Sequence, residues 1–422
     1  CGASSSGDVG AAGEPDASGA SLAANGGSVE WPTRRQGAVP SAPVRRDGVT
    51  IQGEAAGRAR TSTRPWHADP LLLVGGLAGW LAFGWVTLRY LGLSRDLWQQ
   101  QPLFIHYDWH AYVAGAHQLV DRTLYREPLT LGDVPLPIDA FNMPPLAAAE
   151  ALPFLVLGLL AGGLAWQGTG ALGVAFAASV LASFWTGPVV RVLALAGVGI
   201  GAVMLVDHIA VPDELSYWWG LTLGTNNHLV LGLLAGFVLA LRARLARVAG
   251  LLLGIAIATK LWPLLVGAAL VRNREWTALR WAAGACVVQA LLFAAWLGPD
   301  VAPAFVRSIL ASDPEPQWVI GVSALREVLP WWPAWAGWAV AALLLAFLLW
   351  PPVRGTAAIG VSMLAGLAVI TNLWGHYLPT ILFAFGLIAA GIWAGTDQRM
   401  KASLDARSAH TPPATRNGPN GM

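Results

Sequence analysis

From Pro70 to about residue 395 the chain alternates long apolar runs with short polar connections. Each run approaches the roughly 20 residues that a helix needs to cross the ~30 Å hydrocarbon core of a bilayer. An open sheet would leave unpaired backbone groups in lipid, so the runs are predicted to be helices. The pattern predicts an all-α polytopic membrane protein with about ten transmembrane or re-entrant helices. The runs are residues 71–91, 143–163, 168–186, 189–208, 220–241, 249–271, 280–297, 334–350, 356–373 and 376–394.

Clusters of arginine beside the runs predict their orientation, because cytoplasmic loops are enriched in Lys and Arg. The loop 94–142 contains more acidic residues than arginines and is assigned to the outside. Four basic clusters are assigned to the cytoplasm: Arg58, Arg60 and Arg64; Arg242, Arg244 and Arg247; Arg272, Arg274 and Arg280; and Arg399 with Lys401.

The run 249–271 has a cytoplasmic cluster at both ends, which a single crossing could not produce. We therefore predict two half-helices that enter and leave on the cytoplasmic side, with a turn near TKLWP, Thr259 to Pro263. Such re-entrant backbone is tolerated where protein or a wet cavity buries it. The same orientation requires an odd number of crossings between residues 143 and 187, where the pattern shows two runs.

Both ends of the chain differ from the apolar domain, residues 70–395. Residues 1–69 are rich in Gly, Ala, Ser and Pro without apolar periodicity, and they are predicted to be a disordered tail. Residues 396–422 are predicted to be a disordered cytoplasmic tail. The sequence CGASSSG beginning at Cys1 is also compatible with the acylated end of a lipoprotein, although an incomplete start explains it more simply.

Composition narrows the function classes further. The chain is 55% hydrophobic and only 12% charged, against about one quarter charged in soluble domains. It lacks a basic stripe, so no nucleic-acid partner is expected. The two cysteines, Cys1 and Cys286, predict neither a disulfide framework nor a zinc site, and we expect no metal and no cofactor.

Three polar clusters interrupt or flank the apolar runs. Lys260 lies mid-run, where an ammonium is costly unless it pairs or reaches water; the alternatives are snorkelling and a structural ion pair. TLGTNNHLVLG, Thr222 to Gly232, starts a helix after Asp213 and Glu214 and could bind a polyol or phosphate, or simply cap and pack the helix.

The third cluster is TNLWGHYLP, Thr371 to Pro379, where His376 falls on the same side as Asp108. A lone interfacial His can also belong to the aromatic belt. The tryptophans assigned to that belt outright are Trp331, Trp332, Trp335 and Trp338.

The first-loop stretch HYDWHAYVAGAHQLVDRTLY, His106 to Tyr125, holds Asp108 among aromatics and histidines. One acid, one lysine and one or two histidines without a metal cluster suit transfer of a group from a lipid-borne phosphate. A carboxylate would take the proton of the acceptor hydroxyl while cations stabilise the departing phosphate. Attack opposite the phosphate would invert the anomeric centre.

These motifs resemble those of the GT-C glycosyltransferases of family 87, the polyprenyl-phosphate-mannose-dependent mannosyltransferases of actinobacteria. The resemblance covers roughly residues 100–395. It is carried by Asp108, Tyr112 and Gly115-Ala116, then Leu124-Tyr125, FNMPPLAA at Phe141 to Ala148, TNNHLVLGLL, GLLLGIAIATKLWPLL and NLWGHYLP, in that order.

The resemblance implies a GT-C-type helical bundle with its active site outside the cytoplasm, in the plasma membrane. It implies Asp108 as catalytic base, Lys260 at the donor phosphate and His376 in phosphate or acceptor handling. Substrate contacts are expected from Tyr112, Tyr125, Asn226, Asn227, His228 and Tyr377. The partners implied are a polyprenyl-phosphate sugar, with mannose favoured, a glycolipid, lipoglycan or other hydroxyl acceptor, and membrane lipids.

Two departures from the family pattern bear on the acceptor. Gly224-Thr225-Asn226-Asn227 shifts the usual Gly-Asn or Gly-Gln pair, and Met143 replaces an aromatic before the Pro pair.

A transporter or lipid flippase would also place sparse charges in a helical bundle, but no inverted repeat is evident and the first loop is long. Another lipid-carrier enzyme stays open as well, and a polytopic scaffold would leave Asp108, Lys260 and His376 unexplained.

Overall fold

The computed structural model describes residues 107–132, 134–136, 141–185, 187–195, 225–311, 331, 333, 335–370 and 377–409. They belong to one of two units into which the chain divides, Ser62–Met422. The predicted run 71–91, the N-terminal tail and most of the run 189–208 lie outside these residues. The elements are α1 (Tyr107–Asp121), β1 (Thr130–Leu131), β2 (Val134–Pro135), α2 (Pro145–Ala149), α3 (Leu152–Leu155), α4 (Leu159–Ala182), α5 (Pro188–Leu195), α6 (Asn227–Arg242), α7 (Ala246–Thr259), a 3₁₀ helix (Trp262–Val266), α8 (Gly267–Arg272), α9 (Trp276–Leu297), α10 (Val301–Ala311), α11 (Ala336–Phe347), α12 (Thr356–Ala368) and α13 (Leu378–Ala409).

The described part of the chain is mostly helical, as predicted, with one small antiparallel ladder that pairs Thr130 with Pro135 and Leu131 with Val134. Helix α13 continues to Ala409, so residues 396–409 are helical where the sequence predicted a disordered tail. This segment, DQRMKASLDARSA and its neighbours, is rich in Ala, Leu, Lys, Arg and Gln. Such residues favour a helix even without an apolar stripe.

The predicted runs 143–163 and 168–186 are not two spanning helices. Residues 145–155 form the short helices α2 and α3 instead of one long helix. Pro145 and Pro153 each lie in the first turn of one of them, because proline lacks the N–H group that a helix interior needs. Gly158 then turns the chain at φ +78°, and α4 follows as one helix of 24 residues. One helix long enough to span a bilayer, α4, thus lies between residues 143 and 187, where the arginine clusters predict an odd number of crossings.

Two helices of the described residues, α4 and α9, are long and apolar enough to cross a membrane. The other apolar helices are shorter. Most of α9 is exposed, with large side chains such as Val287, Leu291 and Leu292 turned outward at 56%, 63% and 63% exposure. A contiguous apolar face of this kind suits lipid and would be unfavourable in water.

Helix α1 covers one end of the bundle, which we call the loop end. The Trp109 indole Nε1 donates a hydrogen bond to the Leu159 carbonyl at the start of α4, at 2.9 Å. The Trp296 indole Nε1 donates to the Leu119 carbonyl from the end of α9, at 2.8 Å. The start of α4 and the end of α9 therefore both lie at the loop end, and these two helices run in opposite directions.

Arginines gather at the opposite end, which we call the arginine end. Arg242, at the end of α6, donates to Ser183 Oγ just past the end of α4, at 2.6 Å. The Arg247 guanidinium at the start of α7 lies 5.9 Å from the ring centroid of Trp281 in the first turns of α9. Helices α4 and α6 thus finish at the arginine end, whereas α7 and α9 start there.

Helices α7 and α9 are parallel neighbours, because Gly250 lies against Ala278 and Gly254 against Ala282. The chain between them, the 3₁₀ helix and α8, must therefore return from the far end of α7 to the arginine end. This geometry confirms the predicted break near Thr259 to Pro263 and the hairpin form of residues 246–272. At 1.5 Å per residue the 14-residue α7 is only about 21 Å long, too short to span a bilayer core.

Two apolar clusters hold these elements together. One joins helices α4, α6, α7, α9, α12 and α13 through side chains such as Phe237, Leu253 and Phe383. The other lies at the loop end and packs α1 on residues 141–155 and the start of α4, with Trp109, Tyr112 and Trp166 among its members. The candidate site lies where the two clusters meet.

Trp331, Trp335 and Trp338 are exposed by 71%, 66% and 65%, the exposure that an interfacial belt requires. The side chain of Trp332 is outside the described residues.

Candidate active site

Asp108 occupies the first turn of α1 and faces the bundle, partly buried beside its neighbours Trp109 and His110. Burial raises the pKa of Asp108 to about 6, while the positive charge of Lys260 and a hydrogen bond from the Thr225 side chain lower it. Desolvation disfavours the carboxylate and the two partners favour it. The result is a carboxyl group that is ionised at neutral pH and can take up a proton.

Tyr112 lies one helical turn beyond Asp108 and is fully buried. Its hydroxyl donates a hydrogen bond to Asn226 Oδ1 at 2.9 Å and accepts a longer one, 3.4 Å, from the Asn226 backbone nitrogen. Burial, and then the charge of Asp108, raise the pKa of Tyr112 well above its usual value, so the phenol stays neutral. This pair of hydrogen bonds ties the start of α6 to α1.

Lys260 stands at the turn of the hairpin. Helix α7 ends at Thr259, and Lys260 takes an extended conformation with φ −145° and ψ 138° while its backbone nitrogen still bonds the Ala256 carbonyl. Leu261 and Pro263 then begin the return path. The side chain is thus carried at the deepest point of the hairpin, where it reaches Asp108 electrostatically.

Tyr377, immediately before α13, completes the cluster from the C-terminal side. The Lys260 ammonium donates to the Tyr377 hydroxyl at 3.4 Å and lies 5.5 Å from the centroid of its ring. Both contacts favour a cation at this position. The Asn227 side chain also interacts with Tyr377.

Sequence reasoning missed two polar residues of the site, Thr225 and Glu150. Thr225 hydrogen-bonds Asp108 and belongs to the TNNH motif, in which the sequence singled out the two amides and His228. Glu150 forms a hydrogen bond through its Oε1 with the Thr259 hydroxyl, directly before Lys260, and lies close enough to Lys260 to interact with it electrostatically. The missed signal was its position as the one acid in the apolar run 143–163, the same signal that identified Lys260.

The other residues predicted to bind substrate have different surroundings. The Tyr125 hydroxyl donates to the Met143 carbonyl, and its ring packs on Phe141 and Phe305. This fixes the FNMPP segment at the loop end. His228 lies between α6 and α4, where an added Cβ at Gly170 would be 3.3 Å from the His228 Cβ.

His376, assigned to phosphate or acceptor handling, lies outside the described residues, as does His106. Tyr377 shows where the chain emerges after His376. In the described segments, no group of three or more His, Cys, Asp and Glu side chains converges as a metal site would require.

The structure therefore brings together Asp108, Tyr112, Asn226, Asn227, Lys260 and Tyr377 from four separate parts of the chain. The Asp108 carboxylate and the Lys260 ammonium interact electrostatically among neutral hydroxyl and amide groups. Chemically, this arrangement can accept a proton at Asp108 and stabilise negative charge at Lys260.

Comparison with known proteins gives a family. The family model described as glycosyltransferase family 87 matches residues 141–373, which is more than half of the 422 residues. The match includes Glu150, Asn226 and Lys260 and begins after Asp108. No match to a curated protein or to a solved structure was found. The chain belongs to glycosyltransferase family 87.

Proposed function

We propose that this membrane glycosyltransferase moves a sugar from a polyprenyl-phosphate donor to the hydroxyl group of a glycolipid or lipoglycan. The observation that carries the proposal is the juxtaposition of Asp108 and Lys260 at the loop end of the bundle. Mannose is the proposed sugar, on the resemblance of the motifs to the polyprenyl-phosphate-mannose-dependent enzymes.

In the proposed reaction Asp108 takes the proton from the acceptor hydroxyl. The acceptor oxygen attacks the anomeric carbon as the bond from that carbon to the phosphate oxygen breaks. The phosphate leaves with the bonding electrons, and the Lys260 ammonium stabilises the charge that develops on it. Attack on the face opposite the phosphate inverts the anomeric centre, so a β-linked donor gives an α-linked product.

Neutral polar groups surround these two charges and are suited to bind the hydroxyl groups of a sugar. Tyr112 and Asn226 are fixed to each other by hydrogen bonds, so they offer a preorganised surface. Tyr377 contacts Lys260 and interacts with the Asn227 side chain. His376, adjacent to Tyr377 in sequence, is proposed to assist at the phosphate or the acceptor.

The loop end is proposed to face away from the cytoplasm. Support comes from the arginine end, where Arg242 and Arg247 gather, since cytoplasmic loops are enriched in arginine. The exposed apolar face of α9 gives the isoprenoid chain of the donor a hydrophobic environment beside the bundle. The proposed location is the plasma membrane, with the site at the outer leaflet.

Sugar transfer from a radiolabelled polyprenyl-phosphate sugar, measured in membranes that contain the protein, tests this proposal. We expect label in a glycolipid fraction, with an α-linkage from a β-linked donor. A flippase or transporter would relocate the labelled lipid without forming a new glycosidic bond. Product with retained configuration would contradict the direct displacement.

A further inference from the structure

Glu150 is a second carboxyl group of the site that the proposed reaction does not use. It lies between the short helices α2 and α3, before the spanning helix α4 begins. Its Oε2 atom is buried and makes no close hydrogen bond within the described segments, although the Asn226 amide is near enough to interact with the carboxyl group. An ionised carboxylate buried in this way would be costly.

The two contacts of the Thr259 hydroxyl bear on the protonation of Glu150. Its hydroxyl lies 3.0 Å from the Ile255 carbonyl and also contacts Glu150 Oε1. A hydroxyl has one proton to donate, and neither the carbonyl nor a carboxylate has one. Both contacts become hydrogen bonds when Glu150 is protonated: the acid donates to Thr259 Oγ1, and Thr259 donates to Ile255.

The balance of charge at Lys260 also favours a protonated Glu150. The ammonium interacts with both Asp108 and Glu150, and one positive charge neutralises one carboxylate. A hydrogen bond from Thr225 favours the ionised form of Asp108, whose pKa is about 6. Thr259 and Asn226 likewise favour the ionised form of Glu150, but its burial outweighs them and raises its pKa to about 7. Titratable groups that face Glu150 in the described structure are Lys260 from the hairpin and Tyr112 from α1.

We propose that Glu150 is a positioning residue that holds the Thr259–Lys260 turn as a neutral carboxylic acid, leaving the ammonium to Asp108 and to the incoming donor phosphate. The part that concerns the phosphate rests on the proposed function. Asp108 and Glu150 are thereby in different protonation states, with Asp108 ionised and Glu150 protonated, because their surroundings differ.

Glu150→Gln is the decisive variant, because an amide can donate to Thr259 Oγ1 as the acid does but cannot ionise. We expect it to retain donor kcat/KM within about threefold near neutral pH. Glu150→Ala and Thr259→Val should each lower it by roughly 10- to 100-fold through loss of the buried hydrogen bonds. The double variant should be no worse than the poorer single one. A Gln variant as impaired as the Ala variant would overturn the proposal.

The pH profile gives a readout that a purely structural role would not move. Above neutrality, loss of the Glu150 proton would add a negative charge beside the donor phosphate and raise the donor KM. The alkaline fall in kcat/KM should therefore move to higher pH in Glu150→Gln, where Lys260 is the remaining group that loses a proton. An unchanged alkaline limb would contradict the proposal.

Infrared difference spectroscopy of the purified protein between about pH 5 and pH 8 tests the protonation directly, without donor or acceptor. The carbonyl band of protonated carboxyl groups should contain one component lost in Glu150→Gln and another lost in Asp108→Asn. We expect the Glu150 component to persist to higher pH. The reverse order would overturn the proposal, whereas absence of sugar transfer by the wild type would overturn only the proposed function.

Discussion

The protonation state of Asp108 depends on the charge of Lys260. Burial alone would favour a neutral Asp108, and the pKa of about 6 reflects the opposing effect of Lys260 and Thr225. In the described residues the effect that favours the ionised carboxylate comes from the lysine at the hairpin turn and from the Thr225 side chain.

Removing the base while keeping the shape of its side chain tests the proposed role of Asp108. We expect Asp108→Asn to lower sugar transfer by about 10²–10⁴-fold with donor binding preserved, because an amide cannot take the hydroxyl proton. Steady-state transfer and donor binding should be measured on the same preparation. Asp121→Asn, at the exposed end of the same helix, is the matched control and should transfer normally. Near wild-type transfer by the Asn variant would contradict the assignment.

The acid limb of the pH profile should report Asp108. Below a pH of about 6 the carboxyl group is protonated and cannot act as base, so kcat/KM should rise through that pH before the alkaline fall begins. Lys260→Met removes a charge that lowers the pKa of Asp108, and the acid limb should consequently move to higher pH. A limb that stays in place would show that Lys260 does not act on the base.

Lys260 itself is tested by its effect on the donor. We expect Lys260→Met to raise the donor KM and lower kcat/KM by one to three decades, at about 1.4 kcal/mol per decade. Lys260→Arg should retain only part of the wild-type kcat/KM, because the planar guanidinium group of arginine replaces the compact ammonium group of lysine. Lys401→Met, at the only other lysine in the chain, is the control. Unchanged kinetics in well-inserted Lys260→Met protein would leave Lys260 a structural role.

Several site residues could be identified from the sequence because charge or amide groups in apolar runs are unusual. This reasoning found Lys260, Asn226 and Asn227. Glu150 was missed, since its hydrogen bond to Thr259 joins residues more than a hundred positions apart. Thr225 was missed because hydroxyl groups are common at helix starts and carry little signal alone.

At the scale of elements, close contact between α4 and α6 fixes the amides of the site. An added Cβ at Gly173 would lie 2.3 Å from the His228 carbonyl oxygen, and one at Gly232 would lie 2.8 Å from the Gly173 Cα. Backbones this close leave no room for a methyl group. The position of Asn226 and Asn227 at the start of α6 therefore depends on glycine one turn away.

Gly173→Ala should push α6 away from α4 and displace these amides. We expect a loss of stability of roughly 1–3 kcal/mol, as for other overpacked contacts, together with weaker sugar transfer. Thermal unfolding in detergent and the transfer assay would measure the two effects. Gly168→Ala in the same helix, where an added Cβ meets nothing within 4 Å, should change neither. Equal behaviour of the two variants would contradict this role for Gly173.

The hydrophobic and charge pattern predicted some of the helix boundaries and not others. The break at Lys260 was predicted because basic residues at both ends conflicted with a single crossing. The short helices α2 and α3 were not predicted, because the run 143–163 is apolar throughout apart from Glu150 and reads as one long helix. Hydropathy records which residues avoid water, but it does not record where Pro145, Pro153 and Gly158 interrupt the backbone.

The described helical bundle has two chemically different ends. Asp108, Tyr112 and Tyr377 meet at or near the loop end, whereas Arg242 and Arg247 lie at the arginine end. Helices α4 and α9 connect the ends in opposite directions. The orientation of the pair in a membrane remains a prediction from the arginines.

Labelling of single cysteines in whole cells tests that orientation. With Cys1 and Cys286 replaced, a cysteine at position 244 or 274 should be protected from an impermeant thiol reagent, because both flank the hairpin at the arginine end. A cysteine in place of Glu127, exposed on the loop side, should be labelled. Labelling at 244 or 274 from outside would contradict the cytoplasmic placement of the hairpin ends.

The hairpin also has a consequence for biosynthesis. Its turn is covered by elements that leave the ribosome later, since Gly366 of α12 packs on the Trp262 carbonyl and Tyr377 closes over Lys260. Until those residues are made, the lysine has only the earlier segments around it. Assembly of the candidate site should therefore await translation of residues 366–377, and nascent chains that end before Tyr377 should expose Lys260 to quality control.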